Sequence, residues 1–333
     1  MRRYLLHMGY CGTRLRGIQK QKDELEERLS SVQGLVEKGL ASLCPANTLQ
    51  LCFSSRTDKG VHAVCNTAHV DLARKADGLF YDPNRITHHL NYFFKKTNAD
   101  IRKHIYTEVL EMIKGDGMLI PRYGIHRTLE VPPTFHARHD AIARTYLYRI
   151  AVTPPSACKS HFNKEAFLPS TEINKIHLVR YPFDTESVLS ACRMLEGVHD
   201  FATFGASISK SSYPRETTRI IHKISVIPGQ PLLKFDYDPL ASHLQFWDIT
   251  VRGSSFLYKQ VRRIVGVLVA CAQGCISSED IKYMLDNPSP QKWNTHVQCA
   301  PPDGLFLLSV HYPSHIFMNS GHATDNAVKQ KTC

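Results

Sequence analysis

Asp58 stands in a short polar turn, Ser54-Ser55-Arg56-Thr57-Asp58-Lys59-Gly60-Val61-His62-Ala63, between two apolar runs. A carboxylate can act as a nucleophile or hold developing positive charge, and at a strand end it is well placed to meet a ligand. Gly60 lets the backbone turn just after it. Local spacing also supports a plainer role, since such an aspartate can close an Asx-turn or pair with a neighbouring arginine such as Arg56. The second group of interest is Arg262, within Phe256-Leu257-Tyr258-Lys259-Gln260-Val261-Arg262-Arg263-Ile264-Val265-Gly266. On a helix it shares a face with Tyr258, Val265, Gly266 and Val269. An arginine among apolar neighbours is costly unless a carboxylate answers it. Asp58 is a candidate partner, and that pairing would keep the carboxylate ionised at neutral pH. Pairing elsewhere, or a stem extended to solvent, fits the spacing as well.

Both groups need elements to hold them. Leu49–Phe53 and Thr67–Leu72 alternate like half-buried strands on either side of Asp58. Arg3–Met8 reads as a first strand, Leu25–Leu43 and Asn84–Lys96 as helices, and Ile101–Ile113 as a strand. A glycine- and proline-marked stretch from Lys114 reads as a connection between two halves, 1–113 and 136–313, with 114–135 as the connecting loop. In the second half Thr145–Ile150 is a strand, Pro154–Pro182 an irregular excursion and Glu186–Leu195 a short helix. Arg219–Ile227 and Leu244–Val251 follow as strands. Ser255–Gln273 is the strongest helix, then come Asp280–Leu285 and a last strand, Leu305–Tyr312. The polar stretch 314–333 reads as a flexible tail. Hairpin-compatible strands mixed with helices favour an α+β fold over a doubly wound parallel sheet.

Composition narrows the class. The 333 residues carry 41 Lys plus Arg against 30 Asp plus Glu, a net charge of +11 that favours polyanionic partners. Ten cysteines are scattered, without a Cys-x-x-Cys pair or an apolar secretion signal, which points to a reducing compartment and not to secretion. The 18 histidines lack zinc spacing, so no metal is expected. No apolar run is long enough to span a bilayer, and no partner role for a membrane is expected. The absence of a Gly-rich phosphate loop weakens dehydrogenase and NTPase readings. Arg2, Arg3, Arg14 and Arg16 precede the first acidic residue, Asp23, as in a mitochondrial presequence, yet no clear presequence stands apart from the first strand.

The Asp58 string resembles the catalytic loop of the TruA family of tRNA pseudouridine synthases, whose usual form is close to G-R-T-D-A-G-V-H-A. The Arg262 helix resembles that family's F-x-x-x-M-V-R-x-I-V-G pattern, departing at Gln260. Phe135-His136-Ala137-Arg138, Ala143-Arg144-Thr145-Tyr146-Leu147-Tyr148, Asp200-Phe201-Ala202-Thr203-Phe204 and Pro302-Asp303-Gly304-Leu305-Phe306-Leu307 resemble further landmarks, in family order, over residues 3 to 312. The Ser-Ser-Arg-Thr-Asp loop looks most like the animal pseudouridine-synthase-like branch, which is associated with mitochondria.

The resemblance implies two similar α+β halves with mainly antiparallel sheets and an RNA cleft between them. It implies a cofactor-independent homodimer that isomerises uridine in the tRNA anticodon arm, roughly at tRNA positions 38 to 40. Messenger RNA is a further candidate substrate, and the compartment would be mitochondrial or cytoplasmic. Asp58 would be the nucleophile, Arg262 its counter-ion and Tyr146 the ring that stacks on the target base, although an aromatic in an alternating strand can equally be core. Arg56 would fill the space left by the flipped uridine, and Lys59, His62, Arg138 and Arg144 would join it in binding RNA. The family's first turn, close to Y-D-G-x-x-F-x-G-W-Q, is altered here to Tyr10-Cys11-Gly12-Thr13-Arg14-Leu15-Arg16-Gly17-Ile18-Gln19. Lys59 replaces an alanine. That altered turn keeps open an RNA-binding protein that has lost turnover. A zinc-dependent RNA deaminase is disfavoured by the missing His-x-Glu and Cys-x-x-Cys ligands.

Overall fold

The computed structural model describes residues 1–13, 15–20, 31–74, 79–105, 124–155, 168–206, 216–233 and 239–317, with 98–105 and 239–240 as backbone only. Ten strands form one sheet among the described residues. They are β1 (Arg2–Tyr10), β2 (Cys52–Phe53), β3 (His62–Leu72), β4 (Gly124–Val131), β5 (Ala143–Val152), β6 (His177–Val179), β7 (Gly197–Asp200), β8 (Thr218–Pro228), β9 (Gln245–Gly253) and β10 (Leu305–His311). The spatial order is β4-β1-β3-β10-β5-β9-β8-β7, with β2 on β3 and β6 on β5. Pairing is antiparallel except for β10 on β3 and β6 on β5, so the architecture is a mixed α/β one with a mostly antiparallel sheet. The parallel contact of β10 with β3 is short, Phe306 opposite His62 and Leu307 opposite Ala63, and it lies just after the Asp58 turn.

Among the described residues six α-helices accompany the sheet: α1 (Val32–Ala41), α2 (Pro83–Ile105), α3 (Thr185–Leu195), α4 (Pro239–Ser242), α5 (Gln260–Ala272) and α6 (Ser278–Asp286). Strand side chains alternate between faces, and one face of the sheet shares a single core with α1, α2, α3, α5 and α6. Tyr4, Leu6, Met8 and Tyr10 of β1 meet Val36, Leu40, Ile86 and Leu90 there, while Tyr146, Tyr148 and Ile150 of β5 share it with Val188, Ile264 and Leu268. Each such side chain stabilises the fold by about 1.5–3 kcal/mol relative to exposure. Two smaller clusters cover the opposite face, one around Leu5, Val131, Phe135 and Ala137 and one around Ala151, Leu178 and Phe246.

Several boundaries differ from the sequence expectation for identifiable reasons. Residues 101–105 belong to α2 and not to a strand, because Ile101 and Ile105 fit a four-residue repeat as well as a two-residue one; residues 106–113 lie outside the described residues. Gly124–Val131, expected within the connecting loop, is β4 and pairs along β1. Its flanking glycine and prolines mark the strand's ends instead of a continuous loop. Helix α5 begins at Gln260 and not at Ser255, since Lys259 takes the left-handed conformation with φ 61° and breaks the approach. Helix α1 begins at Val32, and residues 25–30 of the expected helix lie outside the described residues. The altered first turn still docks on the Asp58 turn: Leu15 and Ile18 are buried, and the Ile18 N–H donates to the Thr57 carbonyl at 3.1 Å.

Candidate active site

A buried polar network holds the turn that carries Asp58. Asn66, in the middle of β3, is fully buried and accepts from Ser54 Oγ at 2.9 Å and from the Thr67 N–H at 2.8 Å. Its amide nitrogen donates to the Ser55 carbonyl and to the Tyr10 hydroxyl, and that hydroxyl pairs with Thr57 Oγ1 at 2.7 Å. Every polar atom of this asparagine is thus used to fix residues 54–57, which is what keeps so polar a strand interior affordable. Gly60 closes the turn at φ 84°, a left-handed backbone angle, and a Cβ there would sit 2.9 Å from Pro302.

Arg262 reaches the turn from the first turns of α5. Its Nη1 lies 3.4 Å from Asp58 Oδ2, and both side chains are partly buried. Its Nε donates to the Ala300 carbonyl at 2.7 Å, while its own carbonyl accepts from the Ala300 N–H at 3.1 Å. This reciprocal clasp aims the guanidinium. It depends on close approach at Gly266, where a Cβ would fall 2.1 Å from the Gln298 carbonyl. The expected pairing of Asp58 with Arg262 is therefore present, and as expected Arg262 favours the ionised carboxylate. Burial pushes the Asp58 carboxyl above its ordinary value, outweighing the attraction of Arg262 and of Lys259. Lys259 is a site residue that sequence reasoning missed. Its only sequence signal was a cation next to the arginine helix, and the left-handed backbone that places it there has no sequence signature.

Arg262→Gln removes the strongest opposition to that upward shift. The acid limb of kcat/KM, which follows ionisation of Asp58, is expected above the ordinary carboxylate value of about 3.9 in the unmodified chain and at still higher pH in the variant. A pH–rate profile of both proteins measures it, and an unmoved limb would count against the coupling.

Tyr146, on β5, is buried on the same face, edge-on to Phe256 with ring centroids 5.2 Å apart. Burial pushes its phenol up to about 12, with the charge of Asp58 adding to the rise and Ser55 and Arg144 acting against it. Arg56, Lys59 and Arg138 are exposed and offer cationic heads near the turn. Two other expected RNA contacts are placed differently. His62 is 1% exposed and stacked on Phe306, its Nδ1 accepting from the Gly12 N–H and its Nε2 donating to the Asn174 and Asp303 carbonyls. Arg144 is buried, and its guanidinium donates to the carbonyls of Ser54, Arg138, Ala141 and Ser254. Both join backbone segments around Asp58.

Cys52, His69 and His136 lie close enough together to suggest a metal site, with Cys52 Sγ 3.6 Å from His136 Nε2. Their hydrogen bonds argue otherwise. His69 Nδ1 accepts the Ala137 N–H, and His136 Nδ1 accepts from Arg138 and His139. Burial lowers the pKa of both rings, to about 4 for His69, so the neutral form dominates and Nε2 carries the proton in each. A protonated nitrogen donates to a thiol and cannot ligate a cation.

Comparison with known proteins agrees with this geometry. A family described as tRNA pseudouridine synthase matches residues 191–313, which include the Arg262 helix. The chain is 33% identical to human tRNA pseudouridine synthase-like 1 over 314 residues, covering 93% of this chain and 90% of that protein. It is 31% identical to tRNA pseudouridine synthase-like 1 of Xenopus laevis, covering 93% and 91%. With tRNA pseudouridine synthase A of Dinoroseobacter shibae the identity is 29%, over 95% of this chain and 99% of that one. Sheet, carboxylate–arginine pair and full-length likeness together define a pseudouridine synthase, an isomerase of uridine in RNA. The chain belongs to the TruA family of tRNA pseudouridine synthases, in the branch of the animal tRNA pseudouridine synthase-like 1 proteins.

Proposed function

We propose that Asp58 is the catalytic carboxylate of a tRNA pseudouridine synthase acting in the anticodon arm, with Arg262 as its counter-ion and Tyr146 as the ring under the flipped base. The observation that carries this reading is the convergence of Asp58 and Arg262, 204 residues apart in sequence, at one partly buried point beside Tyr146. In this scheme Asp58 attacks C6 of uracil or C1′ of ribose, the glycosidic bond breaks and the uracil turns. A bond then forms from C5 to C1′, the bond to Asp58 breaks and restores the carboxylate, and the proton lost from C5 is matched by one taken up at N1. Arg262 holds the carboxylate in its reactive direction, and Tyr146 supplies a flat face for the base.

Arg56, Lys59 and Arg138 meet the RNA backbone, in a cleft between two halves of the molecule, and the working form is a homodimer. The net charge of +11 supports phosphate binding. Likeness to the animal branch supports mitochondrial tRNA as the substrate, with cytoplasmic tRNA and messenger RNA as the competing choices. The purified chain is expected to release tritium from tRNA carrying 5-tritiated uridine. Carbodiimide mapping of the product, and of mitochondrial and cytosolic RNA from cells lacking the protein, is expected to place the change in the anticodon arm. Release with every mapped site outside that arm would reject the positional part, and no release on any tRNA pool would reject the enzyme.

A further inference from the structure

We propose that Tyr258 and Lys259 hold the nucleotide adjoining the target uridine, the Tyr258 ring stacking on its base and the Lys259 ammonium pairing with its phosphate. The inference rests on the reading of Asp58 as the catalytic carboxylate and extends it to the neighbouring residue of the RNA.

The segment that leads into α5 lines the site. Phe256 packs edge-on against Tyr146, Arg262 lies 3.4 Å from Asp58, and the Asp58 carboxyl feels the charge of Lys259. Tyr258, between these residues in sequence, is 40% exposed. A single exposed aromatic is ordinary in itself. This one is held in place. Its carbonyl accepts from the Ala206 N–H at 2.9 Å, and the buried Gln260 side chain accepts from the Leu257 N–H at 2.7 Å. Lys259 Nζ lies over the Tyr258 ring, 5.2 Å from its centroid. One ammonium occupies one face of a ring, and a base would stack on the other.

Lys259 supplies the stronger argument. It is the N-cap of α5, yet its φ of 61° is left-handed and its side chain makes no capping hydrogen bond. An N-cap ordinarily takes an extended backbone and satisfies the first N–H groups with a short polar side chain. Lysine does neither, and glycine would adopt this conformation without steric cost. Strain kept at a residue whose side chain does nothing for the helix it begins points to a ligand.

The pair defines the chemistry of that ligand. An exposed ring beside an ammonium suits a base joined to a phosphate, the repeating unit of single-stranded RNA, since every base has a π-face. Flipping the target uridine unstacks its neighbours, and the Tyr258 ring would replace one of the lost stacking faces. Such contacts fix the register of the RNA and act on KM more than on kcat.

Dissociation constants for a tRNA transcript, tritium release and thermal melting would be measured for the unmodified chain, Tyr258→Ala, Tyr258→Phe, Lys259→Gly and Asp58→Asn. Tyr258→Ala is expected to raise Kd and KM about tenfold, with a smaller change in kcat and no fall in melting temperature. Tyr258→Phe keeps the ring and should recover most of that loss. Lys259→Gly is expected to weaken binding, to reduce the slope of log K against log salt by about one, and to melt no lower than the unmodified chain. An abasic residue on one side of the target uridine, 5′ or 3′, should weaken binding by the unmodified chain about tenfold and add nothing in Tyr258→Ala.

Undiminished binding by Tyr258→Ala would overturn the proposal, and so would an abasic effect of the same size in both proteins. An unmoved salt slope in Lys259→Gly would overturn the phosphate contact. A lowered melting temperature there would make the left-handed lysine a structural device and overturn its role as well. Tritium release by Asp58→Asn would defeat the reading of Asp58 itself. An inactive Asp58→Asn beside normal binding by Tyr258→Ala would defeat the Tyr258 site alone.

Discussion

Asp58→Ala is expected to lower tritium release from tRNA by on the order of 10^4-fold, to the background of the assay, while the protein melts no lower than the unmodified chain. The two halves of this expectation have different origins. The activity half follows from chemistry: no other carboxylate occupies the turn, and the exposed cations around it cannot replace an attacking oxygen. The stability half follows from burial, which raises the folded-state pKa of Asp58 above its ordinary value. A carboxyl that holds its proton more tightly when folded favours the folded state most at low pH. That contribution is lost as pH rises through the ordinary carboxylate range towards the folded value, so at neutral pH the charged form weighs against the fold. Its removal relieves that cost. Arg262 is not left bare, because its Nε remains bonded to the Ala300 carbonyl. Asp58→Asn keeps the shape and should be equally inactive. Paired melting and tritium-release measurements decide the matter, and a variant that turns over at a tenth of the normal rate would remove Asp58 from the bond-making step.

The same contrast between local pattern and long-range placement explains how much of the molecule could be read from its sequence. Strands such as β5 and β9 and helices such as α3 and α6 follow from alternation and capping, which are local. Asp184 caps α3 and Ser277 caps α6 in a capping box with Asp280. The spacing alone left the pairing of Asp58 with Arg262 as one of two equal readings, and the resemblance of both strings to the TruA family favoured it. Arg144 and His62 defeated the same kind of reasoning. Their residue types suit RNA, and Arg144 shares the Tyr146 face of β5. Their partners, however, are backbone carbonyls and an N–H from distant segments, and a carbonyl leaves no trace in residue identity. Asn66 was overlooked for a related reason. A polar residue inside an alternating strand is a signal in itself, but the sequence does not say that Tyr10 and Ser54 would meet it. Lys259 needed the left-handed backbone ahead of α5, which residue identity does not encode for lysine.

The largest expected effect on stability lies away from the catalytic turn, at Glu172. Its carboxylate and the Arg149 guanidinium are 0% and 1% exposed, with Oε2 and Nη1 2.6 Å apart. The other Glu172 oxygen accepts the Leu232 N–H, Arg149 Nη2 donates to the Gln230 carbonyl at 2.7 Å, and Asp248 lies 3.7 Å from Arg149 Nε. Glu172→Ala would leave the guanidinium buried with only the more distant Asp248 to answer it. Breaking such a pair costs about 3–5 kcal/mol, on the order of a 10 °C fall in melting temperature for a chain of this size. Arg149→Met/Glu172→Leu should recover much of the loss, because an apolar pair needs no desolvated charge.

The damage should reach the active site by a specific route. Glu172 anchors the excursion that carries Asn174, and the Asn174 carbonyl accepts from His62 Nε2 at 2.9 Å. His62 in turn accepts the Gly12 N–H of the first turn, which docks on the loop of Asp58. Glu172→Ala is therefore expected to raise hydrogen exchange at Gly12 and at residues 54–62 along with the excursion itself, and to reduce turnover below its melting transition. Exchange confined to residues 168–179, with normal turnover, would show that the buried pair stabilises its own segment and does nothing for the catalytic turn.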